Sequence, residues 1–235
     1  TLIKVDAPKL ETRKLVNGFE NDWRLIDGVG DTLYFVTNKD APRLRVVKTD
    51  LSAEDPEFTE LVPESDAVID GAMIVSDRLV ISYLVDAKSQ LSTFDLDGKG
   101  LGALELPGPG QVGGLSGSMK SEEGFFSFQS FNRPTTVFRY DPSSAPTIWA
   151  APTLPFDPDS VAVTQRFYES KDGTRIPMFL VHMKDQDLSQ GAPTMLYGYG
   201  GFNISVLPQY KPAWMAWIKA GGVFASANLR GGGEY

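Results

Sequence analysis

The feature that most constrains the fold is a repeat of about 45 residues in the first two thirds of the chain. Strand-like runs end at four aspartates, spaced 44, 45 and 46 residues apart: Asp6, Asp50, Asp95 and Asp141. A second apolar run lies upstream of each of the last three, and these runs begin at Leu33, Leu79 and Phe125, 46 residues apart both times. A unit of about four short strands at this period is typical of a β-propeller blade.

A β-sandwich also contains regular short strands, but the matched aspartates and strand starts favour a propeller. We therefore predict a partial β-propeller of about three blades over residues 1–155. An aspartate at the end of a strand typically accepts hydrogen bonds from the turn that follows, so the four aspartates are predicted to be structural. A closed propeller needs four or more blades, and we expect the others to precede Thr1.

The pattern changes beyond a proline-rich segment at residues 151–160. Two apolar runs flank Asp172 and Gly173, which predicts an antiparallel hairpin. A strand at 194–199, a helix that begins near Pro212 and a strand at 222–229 then predict a parallel pair with a right-handed crossover. An α/β-hydrolase sheet opens in this order. We therefore predict that residues 156–235 are the N-terminal part of an α/β-hydrolase domain.

Two apolar runs break into glycine-rich turns, TMLYGYGGFN at 194–203 and SANLRGGGEY at 226–235. In α/β-hydrolases the loop after an early strand supplies one donor to the oxyanion of acyl transfer. Tyr199 is a candidate for donating its phenol O–H to that oxyanion, and Phe202 is a candidate wall for a bound side chain. The alternative is that both rings only pack the turn, and spacing alone does not separate these interpretations.

Two residues that resemble catalytic groups are predicted not to be catalytic. His182, the only histidine, lies in a predicted strand and precedes any nucleophile elbow, whereas the catalytic histidine of an α/β-hydrolase comes last in the chain. Residues 113–118 (GGLSGS) resemble the elbow G-x-S-x-G around Ser116, but Ser118 replaces its last glycine. That segment is also predicted to be a turn between blades.

Composition and charge exclude several classes of function. A net charge of −8 argues against nucleic acid or anionic membrane as a partner, and no apolar run approaches the roughly 20 residues of a spanning helix. The absence of cysteine excludes disulfides and thiolate metal sites. The glycine turns lack the third glycine of a dinucleotide motif and a Walker lysine. We expect no cofactor and no metal, and a location in the cytoplasm or, alternatively, in a bacterial periplasm.

Three segments closely resemble the prolyl oligopeptidase (prolyl endopeptidase) family of serine peptidases: YESKDGTRIPMFLVH at 168–182, LYGYGGFNIS at 196–205 and ANLRGGGEY at 227–235. The resemblance implies a seven-bladed propeller joined to an α/β-hydrolase domain, with the active site between them. It implies cleavage of short peptides after proline through an acyl-enzyme, with large folded proteins excluded by the propeller. Tyr199 matches the tyrosine that completes the oxyanion hole, and Phe202 matches a phenylalanine of the proline pocket.

The resemblance also implies that the catalytic Ser, Asp and His lie beyond Tyr235. We therefore expect this chain to be an internal fragment without peptidase activity by itself, and the full-length protein to be a monomer that binds short proline-containing peptides. Two alternatives stay open. One is a dipeptidyl- or acylaminoacyl-peptidase of the same architecture, and the other is a non-catalytic propeller that serves as an interaction platform.

Overall fold

The computed structural model describes residues 2–4 and 11–233. Contacts between residues divide the chain into two compact units, Thr1–Asp66 and Ala67–Tyr235. Almost all of the regular structure is β-sheet, and each unit has its own sheets. Among the described residues no helix is long and apolar enough to cross a membrane.

The first unit contains a two-stranded and a four-stranded antiparallel sheet. The small sheet pairs β1 (Leu2–Lys4) with β2 (Glu11–Arg13). The strands of the larger sheet are neighbours in chain order: β3 (Trp23–Val29), β4 (Thr32–Thr37), β5 (Arg45–Asp50) and β6 (Phe58–Val62). The rings of Trp23 and Phe58 pack with centroids 4.4 Å apart. This sheet is therefore a meander with its own apolar contacts.

The second unit begins with two more antiparallel meanders of four strands. One consists of β7 (Val68–Val75), β8 (Arg78–Val85), β9 (Lys88–Asp95) and β10 (Gly100–Leu104). The other consists of β11 (Gln111–Ser116), β12 (Gly124–Gln129), β13 (Thr136–Tyr140) and β14 (Thr147–Ala150). The two share one apolar core, to which Met73 and Val80 of the first and Phe126 and Phe138 of the second belong. A four-stranded meander thus occurs at each of the three repeats predicted from residues 33 to 141.

The repeated aspartates cap turns, as predicted. An Asp50 carboxylate oxygen accepts a hydrogen bond from the Ser52 N–H at 2.9 Å, and Asp95 accepts one from the Lys99 N–H at 2.8 Å. Asp141 accepts one from the Ser143 N–H at 2.7 Å. The backbone hydrogen bonds from Ser52 and Ser143 hold the pKa values of Asp50 and Asp141 below the usual range. Asp6, the first of the series, lies outside the described residues.

A mixed four-stranded sheet follows, with the order β15-β16-β18-β17. Its strands are β15 (Val161–Glu169), β16 (Arg175–Met183), β17 (Thr194–Tyr199) and β18 (Val223–Asn228). A 3-10 helix (Pro158–Ser160) precedes β15, and α1 (Pro212–Lys219) connects β17 to β18. The strands β15 and β16 form the predicted antiparallel hairpin, and β17 and β18 form the predicted parallel pair.

Turns of the meanders pack into the core of the mixed sheet. Phe131, between β12 and β13, is 1% exposed, and its ring centroid lies 5.5 Å from that of Phe179 and 5.7 Å from that of Phe224. Ala87, between β8 and β9, is fully buried in the same cluster, which also contains Ile218 of α1. The last two meanders and the mixed sheet therefore share a hydrophobic core.

We predict that Phe131→Ala lowers the free energy of unfolding by about 3–5 kcal/mol, the usual cost of removing a buried phenylalanine ring. Urea denaturation of the purified protein measures this change. Phe202→Ala is the matched control, because that ring is 90% exposed and an exposed substitution changes stability by about 0.5 kcal/mol or less. Equal losses in the two variants would contradict the role of Phe131 as a shared core residue.

Candidate functional site

Three loops meet at one edge of the mixed sheet. Because β17 and β18 are parallel, their carboxyl ends lie side by side, and Tyr199 is paired with Asn228. Because β16 is antiparallel to β18, its first residues and the hairpin turn at 170–174 lie at the same edge. We name the segment 199–207 the tyrosine loop and the segment 229–233 the arginine loop. This edge is where parallel strands of α/β proteins place ligand sites.

Tyr199, the last residue of β17, faces a cleft of about 250 Å³ between the mixed sheet and the third meander. Gln111 and Phe131 line the cleft from the meander side, and Tyr197 and Trp214 line it from the other. Tyr199 is 38% exposed. Within residues 2–4 and 11–233 no hydrogen-bond partner contacts its hydroxyl, so the O–H is available to a ligand in the cleft.

Phe202, the second candidate, projects away from the protein. Its side chain is 90% exposed and is not part of the cleft lining. The backbone at Phe202 and Asn203 has φ values of 55° and 57°. Left-handed backbone at two successive non-glycine residues is uncommon and unfavourable. The structure thus brings Tyr199 into the cleft and leaves Phe202 at the rim of the tyrosine loop.

Backbone contacts hold the tyrosine loop against the arginine loop. The Asn203 N–H donates a hydrogen bond to the Gly231 carbonyl oxygen at 3.1 Å. A side chain at Gly200 would collide with the Arg230 carbonyl oxygen, and a Cβ at Gly231 would lie 2.8 Å from the Gly200 carbonyl oxygen. Gly231 also has a φ of 105°, which only glycine adopts without strain. The two loops therefore approach more closely than side chains would allow.

Asn228, at the end of β18, connects that strand to the tyrosine loop. Its side chain is 4% exposed, and its amide Nδ2 donates a hydrogen bond of 2.7 Å to the Val206 carbonyl oxygen. No role was predicted for Asn228 from the sequence. The available signal in the sequence was an amide side chain at the end of a predicted apolar strand.

Arg230 connects the arginine loop to the hairpin turn. Its guanidinium pairs with the Asp172 carboxylate and also lies 3.3 Å from the Ser170 hydroxyl oxygen. The hydrogen bond from Arg230, followed by one from the Thr174 N–H, holds the pKa of Asp172 well below its usual range. Because the folded-state pKa is depressed, the stability from this pair is present above the unfolded-state pKa of about 3.9 and is lost as the pH falls through the folded value.

A second, larger cavity of about 490 Å³ is lined in part by Arg230. Phe167, Pro177 and Leu229 give it a largely apolar wall. The Arg175 guanidinium, which also lines it, lies 4.5 Å from the centre of the Phe167 ring. Among the described residues no group of three histidines or acidic residues is placed to hold a metal ion.

The two residues predicted not to be catalytic lie outside the cleft. His182 is in β16 opposite Ala162, and its Nδ1 lies 2.8 Å from the Met183 carbonyl oxygen. Ser116 is the last residue of β11. The prediction of a turn at residues 113–118 was wrong, because residues 113–116 are part of that strand, which has a bulge between Gly113 and Ser116.

Comparisons with known proteins identify the family. The sequence model for "Prolyl oligopeptidase, N-terminal beta-propeller domain" matches residues 2–151. The chain belongs to the prolyl oligopeptidase family. This is a family of serine peptidases, and the meanders of residues 23–150 are part of its N-terminal β-propeller domain.

Relatives in the prolyl oligopeptidase family are similar over nearly the whole chain. The prolyl endopeptidase of Elizabethkingia miricola is 36% identical over 94% of this chain and 32% of its own length. A chain from a structural and mechanistic analysis of two prolyl endopeptidases superposes with a TM-score of 0.88 at 45% identity, over 99% of this chain and 34% of that one. This chain therefore spans about a third of the length of these relatives.

A third relative has been solved with a substrate. Apo prolyl oligopeptidase B from Galerina marginata superposes with a TM-score of 0.90 at 32% identity, over 99% of this chain and 34% of that one. A D-to-A variant of the same Galerina protein has been solved with a 25mer macrocyclization substrate bound, and it superposes with a TM-score of 0.83.

We predict that Gly200→Ala lowers the free energy of unfolding by about 1–3 kcal/mol, because the added methyl group forces the two loops apart. The control is Gly100→Ala, where the nearest atom to the new Cβ would be 3.9 Å away in the Phe94 ring. That variant should be neutral or slightly more stable. Urea denaturation compares them, and a neutral Gly200→Ala would show that the loops separate without cost.

We predict that Arg230→Gln raises the pKa of Asp172 toward its ordinary value, since the hydrogen bond from Arg230 is the largest cause of its depression. Carbon-13 NMR titration of the side-chain carboxyl groups measures this pKa. Asp187 is the internal control, because its pKa is lowered by hydrogen bonds from Ser189 and not by an arginine. A pKa of Asp172 that stays depressed in the variant would exclude Arg230 as the cause.

Proposed function

We propose that this chain is part of a serine endopeptidase that hydrolyses short peptides after proline through an acyl-enzyme. Membership of the prolyl oligopeptidase family and relatives named prolyl endopeptidase support this proposal. Relatives named prolyl endopeptidase, and a related protein with a 25mer substrate bound, support proline-containing peptides as partners, and we propose that these are short. We further propose a monomeric full-length protein in the cytoplasm.

The domain assignment is part of the same proposal. Residues 1–155 would contribute about three blades of the propeller, matching the three meanders. Residues 156–235 would open the α/β-hydrolase domain. An antiparallel hairpin followed by a parallel pair with a crossover helix supports this assignment.

The observation that carries the proposal is the position of Tyr199. It lies at the carboxyl edge of the parallel pair, in a cleft between the mixed sheet and a propeller meander. When a nucleophile attacks a peptide carbonyl, negative charge develops on the carbonyl oxygen, and a fixed donor stabilises this charge more than it stabilises the substrate. Tyr199 would supply one such donor, and a backbone N–H next to the nucleophile would supply another.

Phe202 would form part of the pocket for the proline ring. Its exposed ring is carried by the same loop as Tyr199. The backbone that carries this ring is left-handed at Phe202 and Asn203. A proline ring packed on the phenyl face would bury apolar surface of both groups.

We expect Tyr199→Phe to lower kcat about 10²–10³-fold, the usual loss for one oxyanion donor, with little change in KM. The assay uses the full-length gene product and a chromogenic peptide cleaved after proline. Tyr197→Phe is the matched control, because Tyr197 lines the same cleft and lies two residues before Tyr199 on β17. Equal kcat values for Tyr199→Phe and wild type would refute the assigned donor, and release of N-terminal dipeptides alone would favour a dipeptidyl-peptidase.

Residues 1–235 expressed by themselves should not hydrolyse the peptide.

A further inference from the structure

We propose that Asp172 and Arg230 are positioning residues for the oxyanion tyrosine. Their ion pair fixes the arginine loop, and the arginine loop fixes the tyrosine loop that carries Tyr199 and Phe202. This inference rests on the proposed function of Tyr199. Neither residue lines the cleft, so their effect on the reaction is exerted through the backbone of the two loops.

The tyrosine loop needs an external restraint. Two of its residues, Phe202 and Asn203, have left-handed backbone, a conformation that persists only when the surroundings impose it. Within the loop, the Ile204 N–H donates to the Gly201 carbonyl oxygen at 3.1 Å. The exposed Phe202 ring adds little packing. Local contacts alone therefore do not account for the observed conformation.

The arginine loop supplies a restraint at the residues with left-handed backbone. Its Gly231 carbonyl oxygen accepts a hydrogen bond from the Asn203 N–H, which belongs to the peptide bond between the two left-handed residues. The close approach of Gly231 to the Gly200 carbonyl leaves little room for either backbone to shift. A displacement of the arginine loop would therefore be transmitted to the residue that follows Tyr199.

The arginine loop is itself rich in glycine and needs an anchor. Three successive glycines follow Arg230 in the sequence, and glycine has the largest conformational freedom to lose. Of the side chains that the structure describes in this loop, Arg230 is the one that makes hydrogen bonds, to Asp172 and to Ser170. The guanidinium thus holds the loop at its second residue, next to the Gly200 contact.

The partner of Arg230 is on a rigid support. The hairpin turn is closed by a hydrogen bond from the Ser170 N–H to the Thr174 carbonyl oxygen at 2.9 Å, and nine residue pairs connect β15 to β16. The Thr174 N–H donates to the Asp172 carboxylate at 3.2 Å and orients it. An exposed ion pair contributes little to overall stability. The two side chains are 59% and 52% exposed, so we expect the pair to affect loop geometry more than folding.

The experiment compares Arg230→Gln, Asp172→Asn, the double variant and Arg230→Lys in the full-length gene product. Arg139→Gln is the matched control, because Arg139 forms a similarly exposed pair with Glu123, with side chains 52% and 48% exposed. For each protein, kcat and KM are measured with the prolyl chromogenic peptide. Hydrogen–deuterium exchange of the peptides that contain residues 199–207 is measured by mass spectrometry.

We expect Arg230→Gln and Asp172→Asn each to lower kcat about tenfold, since a displacement of about 1 Å in a reacting group can cost up to 10²-fold, while KM changes less than about twofold. Exchange of the tyrosine loop should become faster in both. The double variant should be no slower than either single variant, because the two residues act as one unit. Arg230→Lys should recover part of kcat, and Arg139→Gln should match wild type.

Unchanged exchange of the tyrosine loop in both single variants would overturn the inference, and so would faster exchange with unchanged kcat. If the fold-losses in kcat of the two single variants multiplied in the double variant, the inference would also be overturned, because the two residues would then have independent roles. The exchange measurement needs no activity. If Tyr199→Phe left kcat unchanged, the proposed function would fail, and exchange would still decide whether the ion pair holds the loop.

Discussion

Turns of the meanders are buried against the face of the mixed sheet. This burial determines how the meanders and the mixed sheet are oriented within the second unit. Phe131 contacts rings from two different strands and from α1, and Ala87 of the preceding meander enters the same cluster. A polar contact lies beside it, where the Gln165 side chain donates to the Asp86 carbonyl oxygen. Because turns rather than strand faces make these contacts, the ends of the meanders face the sheet, and the cleft that Tyr199 lines lies between these layers.

The site depends on backbone more than on side chains. Two parallel strands bring Tyr199 and Asn228 to the same edge, and glycines at 200 and 231 allow the loops beyond them to touch. Asn228 then connects the strand end to Val206 through a buried amide. The phenol of Tyr199 is thus held by a network of main-chain contacts on a sheet, which is more rigid than a long loop.

Features that depend on short-range pattern could be predicted from the sequence. The period of the strands and the turn at Asp172 and Gly173 follow from local alternation and turn chemistry, and the structure has a hairpin and meanders at those positions. The parallel pair followed from an intervening helix of suitable length. The location of Tyr199 at a strand end followed from the same elements.

Features that depend on contacts between distant segments could not be predicted. Nothing local shows that β18 lies between β16 and β17, or that Phe131 enters the sheet core. The pairing of Asp172 with Arg230 joins residues 58 positions apart. The segment 113–118 was misread as a turn because its glycines mark a bulge within a strand, and a bulge and a turn have the same local composition.

One aromatic ring belongs to two environments at once. Phe131 is a member of the hydrophobic core and also forms part of the wall of the cleft beside Tyr199. An enlargement or a loss of this side chain would alter both the packing of the interior and the shape presented to a bound molecule. A substitution that reshapes the cleft at this position therefore also requires the neighbouring interior residues to repack.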